Sequence, residues 1–297
     1  MRRRATACLV ALSLLVATAA GCRRGGIERV EWPVMGTVAA VQVRNQSAFS
    51  GGYAGTNSAR LVFSEVERLL NAHDPKSELS LLATLSEDEI LSRCDKGEPR
   101  RLPWLSVRPC YEAAFRLARV SGGAFNPRWK GTGTLDLGAI AKGYAVDVAA
   151  DTCYVTDADA LIDLGGNVKA LRTDNGSHKP WRTGVRDPNG DGYAAKVDLR
   201  EGEALATSAT YYRGSHIRDG RTGCVVSNGV ASVTVLCRSA MWADGLSTTL
   251  FVLGPDEGRA FLARHARELC GDDQVSVLWI LECGRFVAYD PEKRFQR

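Results

Sequence analysis

The amino-acid sequence predicts an α+β fold with an antiparallel sheet and packed helices. Apolar residues recur at helical spacing in the first half of the chain, within residues 58–150. From about residue 158 onward, short β-type runs are separated by turns rich in Gly, Asn and Asp. Because the two kinds of element are grouped rather than strictly alternating, this fold is favoured over a doubly wound parallel sheet.

The elements follow from local patterns. Two extended runs in "VEWPVMGTVAAVQV" are broken at Pro33 and Gly36. We predict helices at 58–72, 106–123, 138–150, 240–252 and 256–269. We predict strands in "ALIDL", "NVKALR", "WRTGVR", "AAKVDL", "EALATS" and "VASVTVLC", and a closing hairpin in "VSVLWILECGRFVAY".

The N-terminal segment has the layout of a secretory signal peptide. A basic start is followed by an apolar run, Ala7–Ala17, that is too short to span a membrane, and by small residues before Cys22. The ending "TAAGC" resembles a bacterial lipobox and predicts lipidation of Cys22, whereas "ATA" at 17–19 could instead serve an ordinary signal peptidase. The expected segments are a signal peptide at 1–21, a tether at 22–30 and one domain at 31–297.

Composition excludes several classes of protein. The chain is 45% hydrophobic and 24% charged, which is typical of a globular protein. Its Lys and Arg residues are scattered rather than gathered on a stripe, so we expect no nucleic-acid partner. Nine cysteines without any C-x-x-C do not indicate a zinc site, and in an oxidising compartment a few disulfides plus buried thiols are expected.

Several catalytic templates are missing, and one apparent motif has a simpler explanation. The sequence has no G-x-S-x-G, no H-E-x-x-H, no P-loop and no dinucleotide fingerprint. The stretch 187–198 matches much of an EF-hand loop, but "WRTGVR" and "AAKVDL" on either side alternate like strands. A hairpin loop is therefore the better interpretation.

Three other stretches could carry chemistry. In "MWADGLSTTL", Asp244 and Thr248 share one helical face, Gly245 would leave space beside them, and their hard oxygens suit Mg²⁺. A capping or core-facing polar pair is the alternative. The helix start near Lys142 could receive phosphate or simply carry a solvated lysine. The loop-like stretch 204–223 is dense in hydrogen-bonding groups and contains His216.

In combination these stretches resemble the ApbE family of FAD:protein FMN transferases, which are flavin transferases of the bacterial envelope. The likeness begins at "MGT", residues 35–37, and runs to the end of the chain. It is carried by "DPKSELS" at 74–80, "GAFNP" at 123–127, "DLGAIAKGYAVD" at 136–147, "LIDLGGNV" at 161–168, "WRTGVRDP" at 181–188, "ATSATYYR" at 206–213, "HIRDGRTG" at 216–223 and "ASVTVLCRSAMWADGLSTTLFVLG" at 231–254.

The resemblance implies an ApbE-like, T-fold-like single domain and a set of binding residues. Mg²⁺ would be held by the side chains of Asp244 and Thr248 and by the backbone carbonyl of Ala139. Positions that match flavin-nucleotide contacts are Met35, His73, Ala124, Phe125, Asn126, Asp136 and Lys142. This chain departs from the family's usual pattern in a short connection at 128–135, in Gly220 where Pro is usual, and in Ala209 where Gly is common.

The resemblance also implies a reaction. A Thr or Ser hydroxyl of an acceptor protein displaces AMP from the FMN-side phosphorus of FAD, with Asp244 and His216 as catalytic residues and His216 as the base. An imidazole bonded to Asp219 in a structural role is the alternative for His216. The expected acceptors are membrane redox subunits, and the expected location is the periplasmic side of the envelope, anchored by lipid at Cys22. Alternatives are an FAD pyrophosphatase and a non-catalytic FAD-binding lipoprotein.

Overall fold

The computed structural model describes residues 26–44, 49–97, 100–153, 159–171, 179–210, 217–271 and 274–297. The predicted signal peptide, the anchor at Cys22 and the candidate base His216 lie outside these ranges. The helices are α1 (Phe49–Leu70), α2 (Glu78–Leu82), α3 (Glu87–Arg93), α4 (Arg108–Val120), α5 (Ala141–Thr152) and α6 (Ala240–Cys270). The strands are β1 (Ile27–Val34), β2 (Thr37–Arg44), β3 (Asp159–Leu164), β4 (Asn167–Leu171), β5 (Trp181–Arg186), β6 (Tyr193–Leu199), β7 (Ala204–Ala209), β8 (Val230–Cys237), β9 (Ser276–Leu281) and β10 (Phe286–Tyr289).

The strands form one large antiparallel sheet and one separate hairpin. The large sheet has the order β1-β2-β3-β4-β7-β8-β9-β10, and β5 pairs with β6 alone. The prediction of an α+β fold with an antiparallel sheet is thereby confirmed. The stretch 187–198 contributes to the β5–β6 hairpin, where the backbone N–H of Asn189 donates to Asp187 at 2.9 Å, so the EF-hand is excluded.

Both faces of the large sheet are covered. The helices bury one face in the main core, while the β5–β6 hairpin packs Trp181, Val185, Val197 and Leu199 against the other. All eight residues of β8 are buried as a result. Central strands covered on two sides read as continuous apolar runs, which explains why "VASVTVLC" shows no alternation of apolar and polar residues.

Helix α6 consists of two helical halves, as the sequence predicts. Gly254 interrupts them with φ 71° and ψ −179°, a conformation that residues with a side chain rarely adopt, and Pro255 opens the second half. The carbonyls freed at this break are satisfied by side chains. Asn228 donates to Phe251 O at 2.8 Å, and the indole of Trp279 donates to Leu250 O at 3.1 Å.

The cysteines differ from the expectation for an oxidising compartment. The described cysteines, which number seven, are all free thiols, so the expected disulfides are not formed in this structure. Buried thiols instead contact backbone carbonyls, as Cys153 does with Gly55 O at 3.0 Å. Within the described residues, no helix combines the length and the apolar character needed to span a bilayer.

Candidate metal centre and nucleotide site

Helices α5 and α6 pack closely because α5 carries a glycine at the contact. A Cβ atom on Gly143 would lie 2.1 Å from the carbonyl oxygen of Ala240 and 2.7 Å from Cβ of Asp244. These separations are far below van der Waals contact, so no other residue fits without moving a helix. The glycine of "AKGYAVD" therefore sets the distance between the two helices that carry most of the candidate site.

Asp147 of α5 binds the start of α6. Its carboxylate accepts hydrogen bonds from the hydroxyl of Ser239 at 2.7 Å and from the backbone N–H groups of Ala240 and Met241, both at 2.9 Å. Lys169 adds an ion pair at 2.7 Å. A carboxylate at a helix N-terminus satisfies otherwise unpaired N–H groups and opposes the positive end of the helix dipole. Asp147 is thus fully used in joining the helices.

Asp244 of α6 binds the start of α5 in the reciprocal arrangement, but with fewer partners. Its Oδ2 accepts the N–H of Gly143 at 2.9 Å and lies 3.8 Å from the ammonium of Lys142. The residue is only 6% exposed. Burial raises the pKa of Asp244, and Lys142 and the N–H of Gly143 offset that effect only partly. The carboxylate therefore carries a buried charge that its neighbours do not fully compensate.

The turn before α5 contains a backbone carbonyl that the helix does not use. The N–H of Ala141 donates to Leu137 O at 2.8 Å and that of Tyr144 donates to Ile140 O at 3.0 Å, and the carbonyl of Ala139 lies between these two acceptors, just before α5. The N–H of Gly143, which would reach Ala139 if the helix began one residue earlier, donates to Asp244 instead. In the part of the chain that the structure describes, no donor is found for the Ala139 carbonyl.

Thr248 lies one turn after Asp244 and belongs to a cluster of hydroxyl groups. Its Oγ1 is 2.9 Å from Oγ of Ser208 on β7, which is itself 2.8 Å from Oγ of Ser247. Ser247 also donates to the backbone carbonyl of Asp244 at 2.8 Å. Because hydroxyl protons rotate, such a cluster can turn an oxygen lone pair towards a cation without losing all of its hydrogen bonds.

Asn167 is a member of the site that the sequence reasoning did not select. Its side chain is 4% exposed and forms a hydrogen bond that lowers the pKa of Asp244. Its Oδ1 is buried and has no partner among the described residues. The available signal was its place after two glycines at a strand end in "LIDLGGNV", where backbone and side chain can approach a ligand closely.

Two details of the sequence interpretation need correction. Gly245 does not leave space for a ligand, because its free side faces the core, where a Cβ would lie 2.9 Å from Leu117. The start of α5 is also not free to bind phosphate through its N–H groups. Those of Ile140 and Ala141 donate to Leu137 O, and that of Gly143 donates to Asp244. The positive group that remains at this helix start is the ammonium of Lys142.

Asp136 and Asn126 are connected to this region by hydrogen bonds. Asp136 accepts the N–H of Gly138 at 3.0 Å and pairs with Lys130 at 3.0 Å. Burial alone would raise the pKa of Asp136, but these two partners outweigh it and hold the pKa below its ordinary value. Asn126 donates to Gly220 O at 3.0 Å, which ties the "GAFNP" segment to the loop after residue 216.

Gly220 allows these two segments to interlock. A Cβ at this position would lie 2.5 Å from both Cβ of Asn126 and the carbonyl oxygen of Gly123. The N–H of Gly220 donates to Ala124 O at 3.1 Å, a bond that proline could not make. Gly220 therefore permits a close contact between the two segments that a residue with a side chain would not allow. Ala124 and Phe125 themselves are 1% and 3% exposed, so their side chains belong to the core.

The short connection at 128–135 is closed by one side chain. The guanidinium of Arg128 donates to the carbonyls of Ala83 at 2.6 Å, Leu85 at 2.5 Å and Thr134 at 3.3 Å. These bonds fix the segment between α2 and the turn before α5. The short connection is therefore a compact turn held together by the side chain of Arg128.

For Met35, His73 and His216, the described residues show no contact with Asp244 or Thr248. Met35 occupies the β1–β2 turn with φ 51°, and its N–H donates to Glu67 at 2.9 Å. His73 is exposed, and its backbone N–H donates to the side chain of Asn71. No hydrogen bond among the described residues joins His73 to the site. His216 lies outside the described residues, and the oxygens of Asp219, its suggested partner, are both engaged by Arg221.

Known proteins are similar to this chain in sequence. The sequence model of the ApbE family matches residues 128–270. The chain is 38% identical over 158 residues to an FAD:protein FMN transferase of Vibrio cholerae, covering 50% of this chain and 45% of that protein. It is 43% identical over 132 residues to that of Rhodobacter capsulatus, covering 41% and 25%. The chain thus aligns with less than half the length of these curated relatives.

Solved structures show the same fold. The flavin transferase ApbE from Vibrio cholerae superposes with a TM-score of 0.67 at 23% identity, covering 89% of this chain and 97% of that one. The ApbE protein from Thermotoga maritima gives a TM-score of 0.69 at 22% identity, covering 92% and 100%. Within the described residues, no cluster of three or more His, Cys, Asp or Glu side chains could hold a metal. A cation here would depend on the mixed oxygen set of Asp244, Thr248 and Ala139.

Proposed function

Residues 128–270 of this chain belong to the ApbE family, and from that premise we propose that the protein transfers FMN from FAD to a Thr or Ser hydroxyl of an acceptor protein and releases AMP. The relatives described above bear the name FAD:protein FMN transferase. The observation that carries the proposal is the incompletely compensated carboxylate of Asp244, one helical turn from Thr248, and the adjoining helix is preceded by the Ala139 carbonyl, for which the described residues supply no donor.

The residues present fit a magnesium ion. A carboxylate, a hydroxyl and a backbone carbonyl are hard oxygen donors, which Mg²⁺ prefers and supplements with water and substrate phosphate. Asp244, Thr248 and Ala139 would hold the ion, and Asn167 offers a further buried oxygen nearby. When bound, the ion would neutralise negative charge on the pyrophosphate of FAD.

The chain's own groups would position the dinucleotide. Lys142 donates to Gly138 O at 2.9 Å and faces Asp244, so its ammonium is held at the mouth of the α5 turn, where a phosphate oxygen could bind it. Asp136, kept ionised by Gly138 and Lys130, can accept hydrogen bonds from a ribityl hydroxyl or a flavin N–H group. Asn126 offers an amide on the same stretch of chain.

Proton removal from the attacking hydroxyl is assigned to His216 as part of the proposal. A neutral imidazole with an ordinary pKa suits general-base catalysis near pH 7. Because both oxygens of Asp219 are engaged by Arg221, the imidazole is not needed to satisfy that carboxylate. We expect His216→Ala to slow transfer about 100-fold or more while FAD still binds. Loss of FAD binding in that variant would instead indicate a structural histidine.

The location and the acceptor are proposals of the same kind. The signal-like N-terminal segment favours export, and Cys22 favours a lipid anchor that faces the periplasm. An enzyme held at the membrane surface would act on exported or membrane redox subunits that present a Thr or Ser residue. Mass spectrometry of the N-terminus of the protein purified from membranes tests the anchor, since an unmodified residue 22 or another first residue contradicts it.

One assay tests the proposed function. The purified protein is incubated with FAD, Mg²⁺ and an acceptor protein bearing a flavinylation threonine, with parallel samples that contain EDTA or an acceptor whose threonine is changed to alanine. Covalent flavin fluorescence on the intact acceptor, together with Mg²⁺-dependent AMP release, supports the transferase. Free FMN and AMP in equal amounts without labelled acceptor would indicate a pyrophosphatase. Unchanged bound FAD would indicate a non-catalytic binding protein.

A further inference from the structure

The two ends of α6 meet at a pair of cysteines. Cys237 is the last residue of β8, two residues before the cap of α6, and Cys270 is the last residue of α6. The helical halves on either side of Gly254 are each about 20 Å long at the usual rise per residue. Their outer ends can meet only because the chain reverses at Gly254 and Pro255.

Cys237 and Cys270 are neighbours at the two ends of α6, because Arg238 and Ser239, which directly follow Cys237 in the chain, line one cavity with Cys270. Cys237 is 2% exposed, and its Sγ also donates to Ser239 O at 3.2 Å. Cys270 is only partly buried and lines an open cavity of about 280 Å³ together with Arg238, Ser239 and Trp242. One sulfur is therefore in the core, and its partner is accessible from solvent.

We propose that Cys237 and Cys270 are a disulfide-forming pair, oxidised by a disulfide reagent such as glutathione disulfide, and that the bond fastens the two ends of the helix that carries Asp244 and Thr248. Two cysteines that the fold holds on either side of Ser239 need little backbone movement to form a bond.

The reaction balances in two exchanges. The thiolate of accessible Cys270 attacks one sulfur of glutathione disulfide, forms a mixed disulfide and releases one glutathione. The thiolate of Cys237 then attacks Sγ of Cys270 and releases the second glutathione, so that two thiols are oxidised, two protons leave and one glutathione disulfide is reduced. In the dithiol, the neighbouring Cys270 thiol and burial both raise the pKa of Cys237. Burial persists in the mixed disulfide, which makes the second exchange the slower step and its rate higher at alkaline pH.

Peptide mapping needs a background in which the assignment is unambiguous. The tryptic peptide 222–238 contains Cys237 together with exposed Cys224, and the peptide 268–285 contains Cys270 together with exposed Cys283. The double variant Cys224→Ser/Cys283→Ser removes both exposed thiols and serves as the parent. Adding Cys270→Ser or, separately, Cys237→Ser to that parent gives the test variants, and Cys110→Ser, a buried thiol elsewhere, gives the control.

The expected result is a cross-link between peptides 222–238 and 268–285 after incubation of the parent with glutathione disulfide. The bond closes a loop of about 30 residues, so the midpoint of thermal unfolding should rise by roughly 5–10 °C and return after reduction. Both effects should persist in the Cys110→Ser control and be lost with Cys270→Ser, which alters the less buried partner. Alkylation of both thiols in the oxidised, folded parent would overturn the proposal, as would a cross-link that requires Cys224 or Cys283. Neither readout depends on flavin transfer.

Discussion

Two aspartates on neighbouring helices each bind the N-terminal end of the other helix. They differ in how much capacity each carboxylate keeps for a further positive partner. Asp147 of α5 receives a hydroxyl, two backbone N–H groups and a lysine at the start of α6. Asp244 of α6 receives the backbone N–H of Gly143 and a hydrogen bond from the side chain of Asn167, with the ammonium of Lys142 more distant at 3.8 Å. The first carboxylate is saturated, and the second retains capacity for a further positive partner.

The two aspartates also differ in how deeply their side chains are buried. The side chain of Asp244 is 8% exposed, whereas that of Asp147 is 19% exposed. A buried ion that lacks partners is costly, and proteins keep such groups where a ligand or metal completes them. Reciprocal capping of two helices thus accounts for Asp147 entirely, whereas Asp244 keeps the capacity for which we propose a cation. Each of the following predictions tests one side of that contrast.

The largest effect is expected for Asp244→Asn. The amide keeps the shape of the side chain and an oxygen for the N–H of Gly143 but removes the charge that would hold the cation. We expect Mg²⁺-dependent AMP release from FAD to fall by at least about 100-fold, while the free energy of unfolding in EDTA stays the same or rises. Undiminished AMP release would contradict the assignment of Asp244.

The opposite pattern, lower stability with nearly unchanged turnover, is expected for Asp147→Asn. Loss of the charged cap on α6 and of the Lys169 pair should lower the free energy of unfolding by roughly 1–3 kcal/mol, measured by urea denaturation. Turnover per folded molecule should remain within about threefold, because Asp147 has no spare oxygen for the cation. A variant with normal stability and abolished turnover would reverse the roles assigned to the two aspartates.

The pH dependence of stability offers a subtler test in metal-free protein. Burial raises the pKa of Asp244 in the folded state, so the folded chain binds that proton more readily than the unfolded chain. The resulting stabilisation is fully present below the pKa of the unfolded aspartate and is lost as pH rises through the folded pKa. Urea titrations in EDTA should show this component in the wild type and not in Asp244→Asn. Identical pH profiles would refute it.

The smallest effect is expected for Ser208→Ala. Thr248 loses a hydroxyl partner at 2.9 Å but keeps its own oxygen, so the apparent Mg²⁺ affinity in the transfer assay should change by only about two- to tenfold. Thr207→Val is the matched control on the same strand, because Thr207 pairs with Thr234 of β8 instead. Equal effects of the two substitutions would indicate a general disturbance of β7 and not a contribution to Thr248.

The parts of the molecule that sequence patterns predicted are those with local causes. The strands, the hairpin at 187–198 and the two halves of α6 follow from residue periodicity and from Gly254 and Pro255. The pairing of Asp244 with Thr248 is likewise local, since residues four apart share a helical face. Helix α1 begins at Phe49, nine residues earlier than its apolar periodicity predicts, because that periodicity marks the packed face and not the helix end.

The parts that were missed depend on distant residues. Gly143 and Asp244 are 101 positions apart, and Asp147 and Ala240 are 93 apart, so neither helix cap has a signature in any short window. Asn167 acquires its meaning only when β4 is placed beside α6. The orientation of Gly245 towards Leu117 also required the tertiary packing, since a helical wheel alone does not say which side faces the core.

The most direct test of the central claim is calorimetric titration of Mg²⁺ into the FAD complexes of the wild type, Asp244→Asn and Asp147→Asn. We predict one Mg²⁺-binding event in the wild type and in Asp147→Asn, and none in Asp244→Asn although FAD is still bound. Equal Mg²⁺ binding by Asp244→Asn, or its loss only in Asp147→Asn, would contradict the claim that the incompletely compensated carboxylate of α6 holds the ion.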